Sequence, residues 1–163
     1  MTTFSTTLQI QDANGEYRIA TPEEILHAAR TTLNRRFRRG KALTSPNDSK
    51  EYLQLQLGHL EHEVFTILWL DNRNQILDFE TLFRGTIDGA SVYPREVVKS
   101  GLIRNAAACV LAHNHPSGLS DPSEADKQIT TRLKAALELV GVRLLDHIIV
   151  GETCTSMAEL GLV

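Results

Sequence analysis

His113-Asn114-His115-Pro116-Ser117-Gly118-Leu119-Ser120-Asp121-Pro122-Ser123-Glu124-Ala125-Asp126 carries the chain from an apolar run into a helix start, and its reading decides the fold. The run before it, Ala106 to Leu111, is short, apolar and of the kind that forms a buried strand leading into His113. Strand side chains alternate between faces, so His113 and His115 point the same way. Pro116 fixes φ and Gly118 can take φ > 0, which lets the chain turn tightly after His115. Asp121 then reads as a helix cap, with Pro122 at the first helical position and Glu124 three residues after the cap. Ser123 and Asp126 fall on one face of the first turn, and that face continues into the apolar stripe Ile129, Leu133, Leu137 and Val140. Gly141 suits the helix end, and Val142 to Val150 follows as a strand.

A carboxylate at the head of a buried stripe needs a strong partner, because burying an unpaired charge costs several kcal/mol or more. A divalent cation shared with the two imidazoles supplies one. His113, His115 and Asp126 are therefore the expected metal ligands, two nitrogens and one oxygen, leaving a fourth tetrahedral position open for water as in catalytic zinc sites. Nitrogen-rich ligation favours Zn²⁺ over Mg²⁺ or Ca²⁺, with Mn²⁺ and Fe²⁺ still open. Ser123, at a helix N-terminus where the dipole favours negative charge, is placed to donate to a developing oxyanion. For the His-x-His pair alone, an ordinary surface or core role is the commoner reading; Ser123 and Asp126 at their spacing turn the balance toward the metal.

The arrangement of His113, His115, Ser123 and Asp126 resembles the JAMM signature of the JAB/MPN metallohydrolases, and the wording His113 to Gly118 is similar to the RadC branch of that superfamily. The resemblance covers roughly Thr44 to the C-terminus. It implies an α/β (α+β) fold of the JAB/MPN type, cytidine-deaminase-like, with a sheet flanked by helices and one Zn²⁺ per chain. It also implies a glutamate on an early strand as general acid/base. Glu63 matches best, at the start of the apolar run Val64 to Leu70 and on the same strand face as Phe65, Ile67 and Trp69; Glu61, two residues back on that face, is the reserve. A cytidine-deaminase-type zinc site is set aside, since Cys109 and Cys154 are too far apart to form its Cys-x-x-Cys pair.

Around this core the chain divides into residues 1–43, an N-terminal extension, and 44–163, the metallohydrolase domain. Asn14-Gly15 is a hairpin turn signal within Leu8 to Ala20. Thr21 and Glu24 form a capping pair for a helix running to about Arg36, with Ile25, Ala28, Ala29, Leu33 and Phe37 inward. Ser45 opens a second helix ending near Gly58. Val64 to Leu70 and a strand from Gln75 to about Gly85 make an antiparallel hairpin, and Pro94 opens a helix through about Asn105. Gly85-Thr86 and Pro94-Arg95-Glu96 also resemble RadC wording; Arg95 and Glu96 are either surface charges or substrate contacts. Ser117 is a substrate contact or a hydroxyl bonded to local backbone. Asp146 and His147, polar within an apolar strand, are either a hydrogen-bonded core pair or supports for a ligand histidine.

The 163 residues, 42% hydrophobic and 23% charged, fit an ordinary globular chain. Two cysteines make no disulfide framework, and no signal-like segment or long apolar run is present, so a cytoplasmic, non-membrane protein is expected. The net charge of −3 is uneven: residues 1–60 hold eight Lys/Arg against six Asp/Glu, and the remainder nine against fourteen. The acidic domain would repel nucleic acid, and any such contact falls to the basic segment 35–41, which otherwise reads as a solvated helix end.

The expected function is zinc-dependent hydrolysis of an amide or isopeptide bond in a peptide or protein substrate, with Glu63 as base and Ser123 as oxyanion donor. The alternative is a non-catalytic metal-binding or protein-interaction module associated with DNA repair. A longer N-terminal DNA-binding region of the kind RadC proteins carry has no counterpart in the residues before the core.

Overall fold

The computed structural model describes residues 7–38, 42–43, 45–85 and 92–163, the side chains of 33, 34 and 36–38 aside. The side chains of Leu33, Phe37, Arg36 and Arg38, and residues 39–41 and 86–91, thus lie outside the described residues; Arg35 is exposed on its helix.

Two apolar runs build the centre. Strand β3 (Val64–Leu70) and strand β5 (Ala108–Asn114) are buried along their whole length, as near-continuous apolar sequences are when both sheet faces are covered. They pair antiparallel, with Phe65 opposite His113 and Leu70 opposite Ala108. Strand β4 (Ile76–Arg84) flanks β3 as the other arm of its hairpin, while β6 (Arg143–Val150) runs parallel to β5 and β7 (Cys154–Ser156) closes the far edge, giving the order β4-β3-β5-β6-β7. Parallel neighbours require a crossover, and helix α4 (Glu124–Glu138) supplies it between β5 and β6. The strand expected from Ala106 begins two residues later. Asn105, at φ 51°, first turns the chain out of helix α3 (Pro94–Ile103), and the strand then continues through His113 itself.

Helices cover both faces. Tyr52, Leu53 and Leu57 of α2 (Pro46–Leu57) pack on Leu68, Val110 and Ile148. On the opposite face, Val97 of α3 and Leu133 and Leu137 of α4 pack on Ile67, Trp69 and Leu111. A fully buried Leu or Ile contributes about 1.5–3 kcal/mol relative to exposure. Gly101 lets α3 approach closely, since a Cβ there would stand 2.9 Å from the Trp69 ring. The chain is thus an α/β fold with a mixed five-stranded sheet between helices, as expected.

The N-terminal part is a hairpin of β1 (Gln9–Gln11) and β2 (Tyr17–Ile19), turning at Gly15 with φ 85°, followed by helix α1 (Pro22–Arg38). The Thr21 hydroxyl accepts the Glu24 amide and the Glu24 carboxylate accepts the Thr21 amide, a reciprocal cap that Ser45 and Asp48 repeat on α2. No described helix is long and apolar enough to cross a membrane.

One helix boundary differs from expectation. The cap of α4 is Ser123, and Asp121 and Pro122 precede the helix. Both Asp and Ser suit a cap; the choice falls to Ser123 because Asp126 reaches back to its amide, whereas Glu124 pairs with Lys127 at 2.5 Å.

Candidate metal centre

His113 is the penultimate residue of β5 and His115 follows just beyond the strand, on the same face as Phe65, Trp69 and α4. Their rings sit with centroids 4.8 Å apart and their Nε2 atoms 3.0 Å apart. From across the crossover, Asp126 in the first turn of α4 brings Oδ1 to 3.2 Å from His113 Nε2 and Oδ2 to 3.9 Å from His115 Nε2. The carboxylate is 1% exposed. Its Oδ2 is engaged by the Ser123 amide at 2.7 Å and the Ser123 hydroxyl at 2.6 Å, while its Oδ1 is buried with no hydrogen-bond partner.

Such an orphaned oxygen is rare in a folded protein and calls for a cause. His115 points to one. Its Nδ1 lies 2.7 Å from the Leu119 carbonyl oxygen, which can only accept, so the proton belongs on Nδ1 and Nε2 presents a lone pair. A lone pair aimed into the same small space as a bare carboxylate oxygen is repulsive unless a cation lies between them. Two imidazole nitrogens and one carboxylate oxygen fit a transition-metal ion, and Zn²⁺ among them.

Glu63 also lies beside the two histidines. Its carboxylate and the ligand nitrogens of His113 and His115 lie within 4.8 Å of one another, a set capable of holding a metal ion that does not include Asp126. The pairing of Phe65 with His113, extended two residues along each chain, explains why Glu63 arrives beside His115. Glu61 is exposed and outside that set. The approach of Glu63 is fixed by Asn114, whose side-chain oxygen accepts the Val64 amide at 2.9 Å and whose nitrogen donates to the Leu60 and His62 carbonyls at 3.3 and 3.0 Å. Asn114 was not singled out for this in the sequence, although a carboxamide inside an apolar strand is itself a signal of a required partner.

Ser123 caps α4 with its hydroxyl, accepting the Asp126 amide at 3.2 Å while donating to Asp126 Oδ2. Serving an oxyanion would require that hydroxyl to turn from the carboxylate.

The remaining candidates separate. His147 is fully buried and its Nε2 lies 2.9 Å from His113 Nδ1, with Thr130 Oγ1 2.6 Å from its other nitrogen. Asp146 instead accepts from the Ser156 hydroxyl at 2.6 Å and the Ala158 amide at 2.9 Å, tying down the C-terminal tail. Ser117 accepts the Leu119 amide at 3.4 Å. Arg95 and Glu96 are exposed, and Arg95 lines a groove with Ala136 and Leu139, about 15 Å along α4 from Asp126 at 1.5 Å per residue. A polar groove of about 290 Å³ opens beside His115, lined by Gln54, Gly58, Asn114, Ser117 and Glu152. A larger apolar cavity, about 840 Å³, lies away from the histidines between the hairpin, α1 and α2.

A family model described as a RadC-like JAB domain matches residues 43–162. A UPF0758 protein of Vibrio cholerae serotype O1 is 59% identical over 138 residues, covering 85% of this chain and 88% of its own length. UPF0758 proteins of Thioalkalivibrio sulfidiphilus and Stutzerimonas stutzeri are 51% and 53% identical over 149 and 148 residues, covering 91% and 90% of this chain. The chain spans 67% and 66% of the lengths of those two relatives.

Proposed function

We propose, because this chain belongs to the RadC-like JAB domain family, that it is a zinc-dependent hydrolase of the metallopeptidase or isopeptidase type acting on a peptide or protein. The observation that carries the reading is the convergence of His113 Nε2 and His115 Nε2, 3.0 Å apart, on the Asp126 carboxylate, whose partnerless Oδ1 is 3.2 Å from the first and whose Oδ2 is 3.9 Å from the second. Those three side chains would hold the ion. When bound, a divalent cation supplies Lewis acidity, lowering the pKa of water and polarising a carbonyl oxygen.

The chain's own residues account for the rest. Glu63, half-buried beside the histidines, takes the proton of the attacking water as its oxygen adds to the amide carbon. It then returns that proton to the nitrogen as the C–N bond breaks, releasing an acid and an amine. The Ser123 hydroxyl, at the positive end of α4, swings from Asp126 to donate to the oxyanion. The groove beside His115 receives the substrate chain. The presence of every group this chemistry needs favours catalysis over a scaffold role, and the protein is read as cytoplasmic.

The test is Glu63→Gln. The variant should retain its metal and lose about 10²–10⁴-fold in turnover of a peptide or isopeptide substrate, the usual weight of a general base. Full turnover by the metal-loaded variant would overturn the assignment.

A further inference from the structure

We propose that Thr130 and His147 are positioning residues of the metal centre, forming a one-way hydrogen-bond relay that dictates which nitrogen of His113 is bare. All three residues are fully buried, so solvent does not supply an alternative partner.

The direction follows from Thr130. Its hydroxyl has one proton, and besides His147 its neighbours are the Asp126 carbonyl oxygen at 2.5 Å and the Met157 sulfur at 3.6 Å. The carbonyl oxygen only accepts, and two oxygens 2.5 Å apart repel unless a proton lies between them, so Thr130 donates to Asp126. Towards His147 Nδ1, 2.6 Å away, Thr130 Oγ1 is left as an acceptor, and that nitrogen must carry hydrogen. A second proton on His147 would make a buried cation whose ring nitrogens meet only Thr130 and His113 among the described residues, a costly arrangement. His147 Nε2 therefore presents a lone pair to His113 Nδ1 at 2.9 Å, and His113 Nδ1 must donate to it. The last proton position then settles itself: His113 Nε2 is bare and faces His115 and Asp126.

The packing keeps the relay aligned. Phe65 lies parallel to the His113 ring, 9° between planes, and edge-on to His147. Thr130 also stands one helical turn after Asp126, so the residue that orients one ligand is bonded to the backbone of another. Without the relay, His113 could place its proton on Nε2, where it would donate to Asp126 and block the site.

The relay's first readout, tautomer, stands apart from the proposed hydrolase activity; its second, affinity, rests on the metal-site reading. Long-range ¹H–¹⁵N spectra of the zinc-loaded full chain should show His147 protonated on Nδ1 with Nε2 bare, and His113 donating from Nδ1. Thr130→Val, close in shape but unable to accept, should redistribute the His147 tautomer and weaken Zn²⁺ binding about 10–100-fold in chelator competition, the usual weight of an outer partner. Thr130→Ser should restore both. A wild-type His147 protonated on Nε2 overturns the relay, as does a Thr130→Val protein with unchanged zinc affinity. A failed hydrolase reading would leave the tautomers and zinc affinities as stated.

Discussion

The Asn114 side-chain oxygen holds the Val64 amide at 2.9 Å, so the residue between the two histidines also sets the position of the segment that presents Glu63. Its nitrogen bonds the Leu60 and His62 carbonyls, and the carboxamide thereby satisfies three backbone groups at once. Asn114→Ala leaves them without that partner, and each unsatisfied buried group costs about 1–3 kcal/mol. The expected result is a loss of about 2–4 kcal/mol in denaturant unfolding. Asn114→Asp keeps the acceptor for Val64 but turns a carboxylate toward two carbonyls, and should be no better than Ala. Both variants should lower turnover more than zinc content, since they release Glu63 and not the ligand nitrogens.

Ser123 is expected to matter first for the helix. Ser123→Ala removes the cap of α4 and should cost about 1 kcal/mol. For a chain of this size that is a fall of about 2–4 °C in Tm. Ser123→Thr keeps the hydroxyl and should recover most of it. If Ser123→Ala cuts turnover while Ser123→Thr retains it at equal zinc content, the oxyanion role stands beside the capping role.

The thiols should be inert. Burial pushes Cys109 up to about 12, and burial, opposed by the Lys50 charge, pushes Cys154 up to about 11. Since the thiolate is the nucleophile, alkylation of the folded protein at pH 8 should be far slower than that of the denatured chain. Both pKa values are raised on folding, so the stability they contribute is complete below the unfolded thiol value near ~8.5 and is lost as pH rises toward 11–12. Replacing Cys109 with Ala should flatten that alkaline decline, read as unfolding midpoint against pH.

Much of the site was legible because its parts are local. Alternation along β5 placed His113 and His115 together, and helical spacing placed Ser123 with Asp126. The α1 and α2 caps were legible for the same reason. The supports were harder to read. Asn114 meets residues fifty or more positions away, and Thr130 meets His147 across the packing of α4 on β6. Those contacts depend on register and helix placement, which no local pattern carries. The displaced α4 cap shows the limit within a single turn: Asp121 and Ser123 have similar capping chemistry, and only the reach of Asp126 chooses between them.

On the function proposed here, His113, His115 and Asp126 together grip one cation. Elemental mass spectrometry on protein dialysed against a small zinc excess and then desalted measures that grip. Wild type should retain about one zinc per chain, and Asp126→Ala should retain almost none while keeping the same circular dichroism. A wild type that holds no zinc, or an Asp126→Ala protein that holds a full equivalent, would contradict it.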